Sequence, residues 1–142
     1  MSSHIEKRNQ LFKVRDTEIT ILANALVDDE TNEIIFDRQL DNAAINLAFD
    51  QYRLNNNIVS SQDIINFRKK YKLSQRSLSI LLNVSSATIS RYEKGVLPSE
   101  SINNLFKQIM SDDVSFMELF NQNKNNLLVE DKQKVESAFK LN

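Results

Sequence analysis

The stretch LSQRSLSILLNVSSATISRYEKGVLP, residues 73–98, decides the fold. Leu78, Leu81 and Leu82 stand at i, i+3 and i+4, the spacing of a helix with one buried face. Ser74, just ahead of them, can accept a backbone N–H as a helix N-cap. The pattern breaks at Asn83-Val84-Ser85, which leaves room only for a tight turn. A second helix is expected from Ser85 or Ser86, with Ile89 and Tyr92 turned inward. Gly95 can take the left-handed conformation that ends a helix, and Pro98 prevents its resumption. These are the only glycine and the only proline in 142 residues, and they fall together where the second helix must stop. Helix, three-residue turn, short helix and sharp stop describe a helix-turn-helix.

The outward face of the second helix carries the chemistry. Ser86, Ala87, Ser90 and Arg91 point away from Ile89 and Tyr92, and they are small or cationic. Small residues let a helix backbone descend into a DNA major groove, and an arginine one turn on can grip a guanine edge with two hydrogen bonds. Ser85 and Thr88 offer hydroxyls for phosphates. Arg91 and Lys94 also suit the negative end of the helix dipole, a purely structural use for them.

Charge is distributed to match. Net charge is −1, which alone argues against a polyanionic partner. Residues 1–59 carry six basic and ten acidic side chains, whereas residues 60–98 carry seven basic and two acidic, a local net of +5. Arg68, Lys69, Lys70, Lys72 and Arg76 supply most of that excess, placed where phosphates would lie.

The remaining sequence sets bounds. One ordinary domain, or a small domain with an appendage, fits this length. No run of about eighteen apolar residues is present, so no membrane span is expected, and the first residues lack the apolar core of a signal peptide. A cytoplasmic protein is the expectation. With no cysteine, disulfides and thiolate zinc sites drop out. Asp28, Asp29, Glu30 and Glu33 cluster, yet no histidine, cysteine or glycine-rich cradle lies near them in sequence. They read as a solvated turn. Nothing pairs a nucleophile with a base, so no enzymatic activity, cofactor or metal is expected.

In chain order, residues 1–16 read as a polar, flexible arm in which His4, the only histidine, is expected to be inert. Residues 17–57 read as a β-hairpin plus helix. Its strands are Thr17–Val27 and Glu33–Phe36, and its helix is Asp41–Leu54 with Asp41 as N-cap and Ile45, Ala48, Phe49 and Tyr52 inward. A lone hairpin is marginal in water and needs a surface to pack on. Asn55-Asn56-Asn57 is the expected hinge. Residues 58–142 read as a helix-turn-helix domain with C-terminal helices. Further helices are expected over Ser61–Tyr71, Glu100–Met110, Asp113–Phe120 and Glu130–Lys140. The fold class is therefore mainly α, a helix-turn-helix domain of five to six helices preceded by a small hairpin-plus-helix segment. Apolar residues over Asp113–Leu128 exceed internal needs, and a dimer interface is the preferred use for them.

LSQRSLSILLNVSSATISRYEKG resembles the helix-turn-helix of the phage-repressor/Cro (XRE-type) superfamily, in which a Gln opens the first helix and a Glu-x-Gly closes the second, as Gln75 and Glu93-Lys94-Gly95 do here. With the flanking IVSSQDIINFRKKYKLSQ and VLPSESINNLFKQIMSDDVSFMELF, the likeness extends over about Asp37 to Leu128 to the C-terminal domain of MqsA-type antitoxins. The resemblance implies that Ser86, Ala87 and Arg91 read bases, that Gln75, Ser85, Thr88 and Lys94 approach phosphates, and that Arg68 and Glu93 form a structural ion pair. MqsA-type proteins often carry Asn at the position of Ala87, so no base preference carries over there. Their N-terminal domain binds zinc through paired cysteines and contacts a toxin; lacking cysteine, this chain has no such zinc module, or replaces it by the hairpin. The implied function is a sequence-specific transcriptional regulator that binds a palindromic operator in double-stranded DNA as a homodimer, as the antitoxin and autorepressor of a toxin–antitoxin pair. The alternative is a stand-alone repressor of a phage or mobile element, with the first segment serving dimerisation.

Overall fold

Two long strands open the chain. β1 (Ser3–Val14) and β2 (Thr17–Asp28) pair antiparallel without interruption, from Ser3 opposite Asp28 to Val14 opposite Thr17. Arg15 makes the connecting turn with a left-handed φ of 54°. A two-residue strand, β3 (Ile34–Ile35), adds to the far edge of β2, giving the sheet order β1-β2-β3. The computed structural model describes residues 2–141, and the chain divides between Asn57 and Ile58 into two units.

The expected flexible arm over residues 1–16 is thus corrected to a strand. β2 takes β1 as its main partner, and the expected strand Glu33–Phe36 contributes only Ile34 and Ile35. HIEKRNQLFKV shows no clean apolar face because its half-buried side carries Glu6, Arg8 and Gln10. Helix α1 (Arg38–Asn56) covers the face built from Ile19, Ala23, Ala25 and Val27, burying Ala44, Ala48 and Tyr52 against the sheet. Alanines on both sides let the helix axis come close. The helix starts earlier than expected: Asp37, not Asp41, caps it by accepting the Leu40 N–H at 2.8 Å. Its inward face runs through Ala44, Ala48 and Tyr52 and leaves Ile45 exposed. Asn57 ends the helix with φ 55°.

The second unit holds α2 (Ser61–Lys70), α3 (Gln75–Leu82), α4 (Ser86–Glu93), α5 (Glu100–Ser111), α6 (Asp113–Asn123) and α7 (Val129–Leu141), with one 3-10 turn at Lys124–Asn126. The described residues therefore form seven α-helices, six in this second unit and α1 in the first. Short polar residues set the starts of α2 to α6. Ser60, Ser74, Ser85, Ser99 and Asp112 each accept a backbone N–H of the following first turn. Ile64, Phe67, Tyr71, Leu78, Leu81, Ile89, Phe106, Ile109, Phe116, Phe120 and Val135 form one continuous core. Ring contacts among Phe67, Tyr71, Phe116 and Phe139 tie α2, α6 and α7 together. Of the apolar excess expected to form an interface, Phe116, Phe120 and Leu127 close this core, whereas Val114, Met117 and Leu128 stay exposed. Among the described residues no helix is long and apolar enough to cross a membrane.

Candidate nucleic-acid interface

Helix α3 ends at Asn83, whose left-handed backbone (φ 58°) reverses the chain into a turn of one further residue before the Ser85 cap. The Val84 N–H donates to the Ser79 carbonyl at 2.9 Å and closes that turn. Asn suits this position because it tolerates positive φ better than most residues. After α4, Gly95 takes φ 113°, and the Val96 N–H reaches back to the Arg91 carbonyl at 3.1 Å. That conformation would cost a β-carbon-bearing residue dearly, which explains where the only glycine sits.

Ile89 and Tyr92 are buried, so α4 is anchored by one face. Its opposite face presents Ser86, Ala87 and Arg91, all exposed. The Arg91 guanidinium makes one long contact, 3.5 Å to the Thr88 hydroxyl, and is otherwise extended toward solvent. Lys94 is exposed at the helix end. Ser85 and Thr88 are partly occupied with each other: the Ser85 hydroxyl accepts the Thr88 N–H at 3.1 Å, and the two hydroxyls lie 2.8 Å apart. Any phosphate contact from them would share the cap.

The orientation of α4 is fixed from behind. Arg68 donates from Nε and Nη2 to the two carboxylate oxygens of Glu93, at 3.0 and 2.9 Å, a planar two-pronged pair. Arg68 Nη1 also reaches the Leu73 carbonyl at 3.2 Å, so one guanidinium joins α2, the α2–α3 loop and α4. Gln75, half-buried, donates its amide to Glu93 Oε1 at 3.4 Å and is drawn into this same cluster. On the other side, the Ser61 hydroxyl donates to the Tyr92 carbonyl at 2.9 Å.

Not every basic side chain of the +5 segment is available. Lys70 Nζ lies 3.3 Å from Asp113 and 5.1 Å from the Tyr71 ring centre. Tyr71 donates its hydroxyl to the same carboxylate. That hydroxyl first, and Lys70 second, hold the Asp113 carboxyl below its ordinary value, while burial and Asp113 together push the Tyr71 phenol up. Lys69, Lys72 and Arg76 remain exposed.

Sequence reasoning did not find Asn103, whose side-chain oxygen accepts the Val59 N–H at 2.9 Å and pins the approach to α2. An asparagine on an amphipathic helix gives no sign that it faces inward. In the first unit, His4 bonds to the carboxylates of Asp29 and Glu6 at the hairpin's end. Asp28, expected in a solvated turn, is nearly buried and accepts the Glu30 N–H at 2.8 Å. Among the described residues no three His, Cys, Asp or Glu side chains are grouped so as to hold a metal ion.

No curated protein matches the chain. Residues 64–107, from the first turn of α2 into α5, match a family model described as helix-turn-helix, and this segment is similar in sequence to that family.

Proposed function

We propose that the protein is a sequence-specific, DNA-binding transcriptional regulator, with α4 as the helix that enters the major groove. One observation carries this reading: Ser86, Ala87 and Arg91 stand exposed on α4 while Ile89, Tyr92 and the Arg68–Glu93 pair hold the helix rigidly from the opposite side. Small side chains at the N-terminal end of such a helix allow close approach to base edges, and the extended guanidinium of Arg91 can bridge guanine O6 and N7. Lys94, Ser85, Thr88 and Gln75 would lie beside the phosphates and set register rather than specificity. No catalytic role is assigned. In the finer reading the protein is a cytoplasmic antitoxin and autorepressor that binds a palindromic operator as a homodimer, with residues 17–57 serving dimerisation or toxin binding. The likeness of residues 37–128 to MqsA-type antitoxins supports it.

A stand-alone repressor of a phage or mobile element is the second reading, favoured by the absence of the zinc-binding cysteines of the antitoxin family. Selection of bound duplexes from a random pool tests the main reading, which requires enrichment of a symmetric site; recovery of unenriched DNA sinks it. A pull-down with the product of the neighbouring gene separates antitoxin from stand-alone repressor.

A further inference from the structure

The outer edge of β1 has no neighbour among the described residues: the sheet order is β1-β2-β3, and β1 has a partner on one side only. Long bare edges invite pairing with another chain, and folded proteins commonly break them with proline, a bulge or an inward charge. β1 has neither proline nor bulge, and its inward charges, Glu6 and Arg8, are paired with each other at 3.1 Å. It runs 12 residues without proline, and its register with β2 is unbroken.

Which backbone groups face outward follows from the register. The Asp29 N–H donates to the Ser2 carbonyl at 3.1 Å, and Val14 stands opposite Thr17 across the two-residue turn. Even-numbered residues of β1 therefore exchange hydrogen bonds with β2, and the N–H and C=O groups of Ile5, Lys7, Asn9, Leu11 and Lys13 point to the open edge. The side chains of these same odd residues lie on the sheet face that α1 does not cover. Ile5 and Leu11 there are 61% and 60% exposed, beside Leu22 at 58%.

We propose that a second copy of this chain occupies the edge: two β1 strands pair antiparallel about a two-fold axis at Arg8 and join two three-stranded sheets into one of six strands. The side chains select that axis. Centred on Lys7, the pairing sets lysine against lysine; centred on residue 10, it sets Lys7 against Lys13 of the partner subunit. Centred on Asn9, it sets both lysines against Leu11 and Ile5. Only the axis at Arg8 places Ile5 opposite Leu11 twice over, continuous with Leu22, and leaves Lys7 facing Asn9. Opposed apolar pairs stabilise a sheet and opposed like charges weaken it. At the axis the two Arg8 residues stand opposite each other, but each guanidinium is held within its own subunit, by Glu6 at 3.1 Å and by the Asn32 carbonyl and side-chain oxygens at 3.0 and 2.7 Å. The contact is isologous, and it closes at two copies because each β1 has one free edge. It rests on the homodimer reading above, whose interface it names, and its failure would leave DNA binding by α4 untouched.

Light scattering on the full chain without DNA, together with single-cysteine cross-linking in this cysteine-free protein, tests the proposal. Twice the 16.4 kDa chain mass is expected. Arg8→Cys is expected to form a disulfide-linked dimer under mild oxidation, because residues 8 directly oppose each other, and Asn9→Cys and Met117→Cys are expected to cross-link at least ten-fold more slowly. Leu11→Asp should raise the dissociation constant ten-fold or more, and adding Ile5→Lys should recover most of that loss. A monomer at tens of micromolar, or a dimer cross-linked through Met117→Cys or Asn9→Cys in preference to Arg8→Cys, overturns the proposal. So does a β1 edge that captures the neighbouring gene product while the chain itself stays monomeric.

Discussion

Arg68 and Glu93 face each other across the helix-turn-helix with two hydrogen bonds of 3.0 and 2.9 Å, in a setting that leaves the Glu93 side chain only 8% exposed. The pair fixes where α4 stands relative to α2, so it converts buried electrostatics into the presentation of Arg91. Replacing Glu93 by Ala strands the guanidinium and removes the acceptor of Gln75, at a cost of about 3 kcal/mol, as for breaking a buried pair. Arg68→Lys should recover little, because an ammonium cannot make the two-pronged contact. Urea unfolding monitored by circular dichroism measures both; a Glu93→Ala midpoint equal to wild type would show that packing alone positions α4.

Arg91 and Lys94 separate by what they are expected to touch. Arg91→Ala should cost about 1–3 kcal/mol on the operator and relax one base position. Lys94→Ala should weaken operator and scrambled duplexes alike and reduce the slope of log K against log salt by about one. Gel shifts over a salt series read both. Equal losses on both duplexes for Arg91→Ala would place that side chain on phosphate only.

The end of the β1–β2 hairpin should respond to pH. Hydrogen bonds from His4 to Asp29, and then to Glu6, raise the imidazole pKa above its ordinary value of 6.5. A raised pKa means the folded state binds the proton more tightly, so this contribution is fully present below pH 6.5 and is lost as pH rises through the folded value. Glu6, held below 4.5 chiefly by Arg8, acts in the opposite sense and loses its contribution as pH falls through its own folded value. The hairpin end should therefore be firmest between these limits. Asp29→Asn should bring the His4 titration, followed by proton NMR of the ring, back toward 6.5; an unchanged titration would assign the shift to Glu6.

How much of this was legible in the sequence depended on whether a residue answered to local rules. Asn83, Gly95 and Pro98 punctuate the chain by backbone conformation alone, and the serines ahead of each helix act within four residues, so the helix-turn-helix could be read directly. Ile64, Phe67, Leu78 and Ile89 followed helical periodicity. β1 was missed because its partner, β2, decides its conformation: Glu6, Arg8 and Gln10 are half-buried yet carry no apolar signature. Asp37 displaced Asp41 as the cap since both are good caps and sheet packing chose between them. Neither the inward Asn103 nor the bond from His4 to Asp29 follows from spacing, because the partners lie 44 and 25 residues away.

Phe116 makes the last test, since it decides whether α6 and α7 are part of the DNA-presenting core or an appendage to it. The ring is fully buried, 4.9 Å from Phe67 and 4.4 Å from Tyr71 of the α2 segment, and 5.6 Å from Phe139 of α7. Truncation to Ala removes contacts to both sides at once, and a close-packed site fenced by three other rings cannot collapse to fill the space. The expected cost is about 3–5 kcal/mol, which for a unit of this size lowers the melting midpoint by roughly 15 °C or more. Phe139→Ala, at the half-buried rim of the same cluster, should cost clearly less. If α6 and α7 were an appendage, Phe116→Ala would instead melt them separately, giving two thermal transitions and leaving DNA binding intact between them; one shifted transition with joint loss of binding is the result expected here.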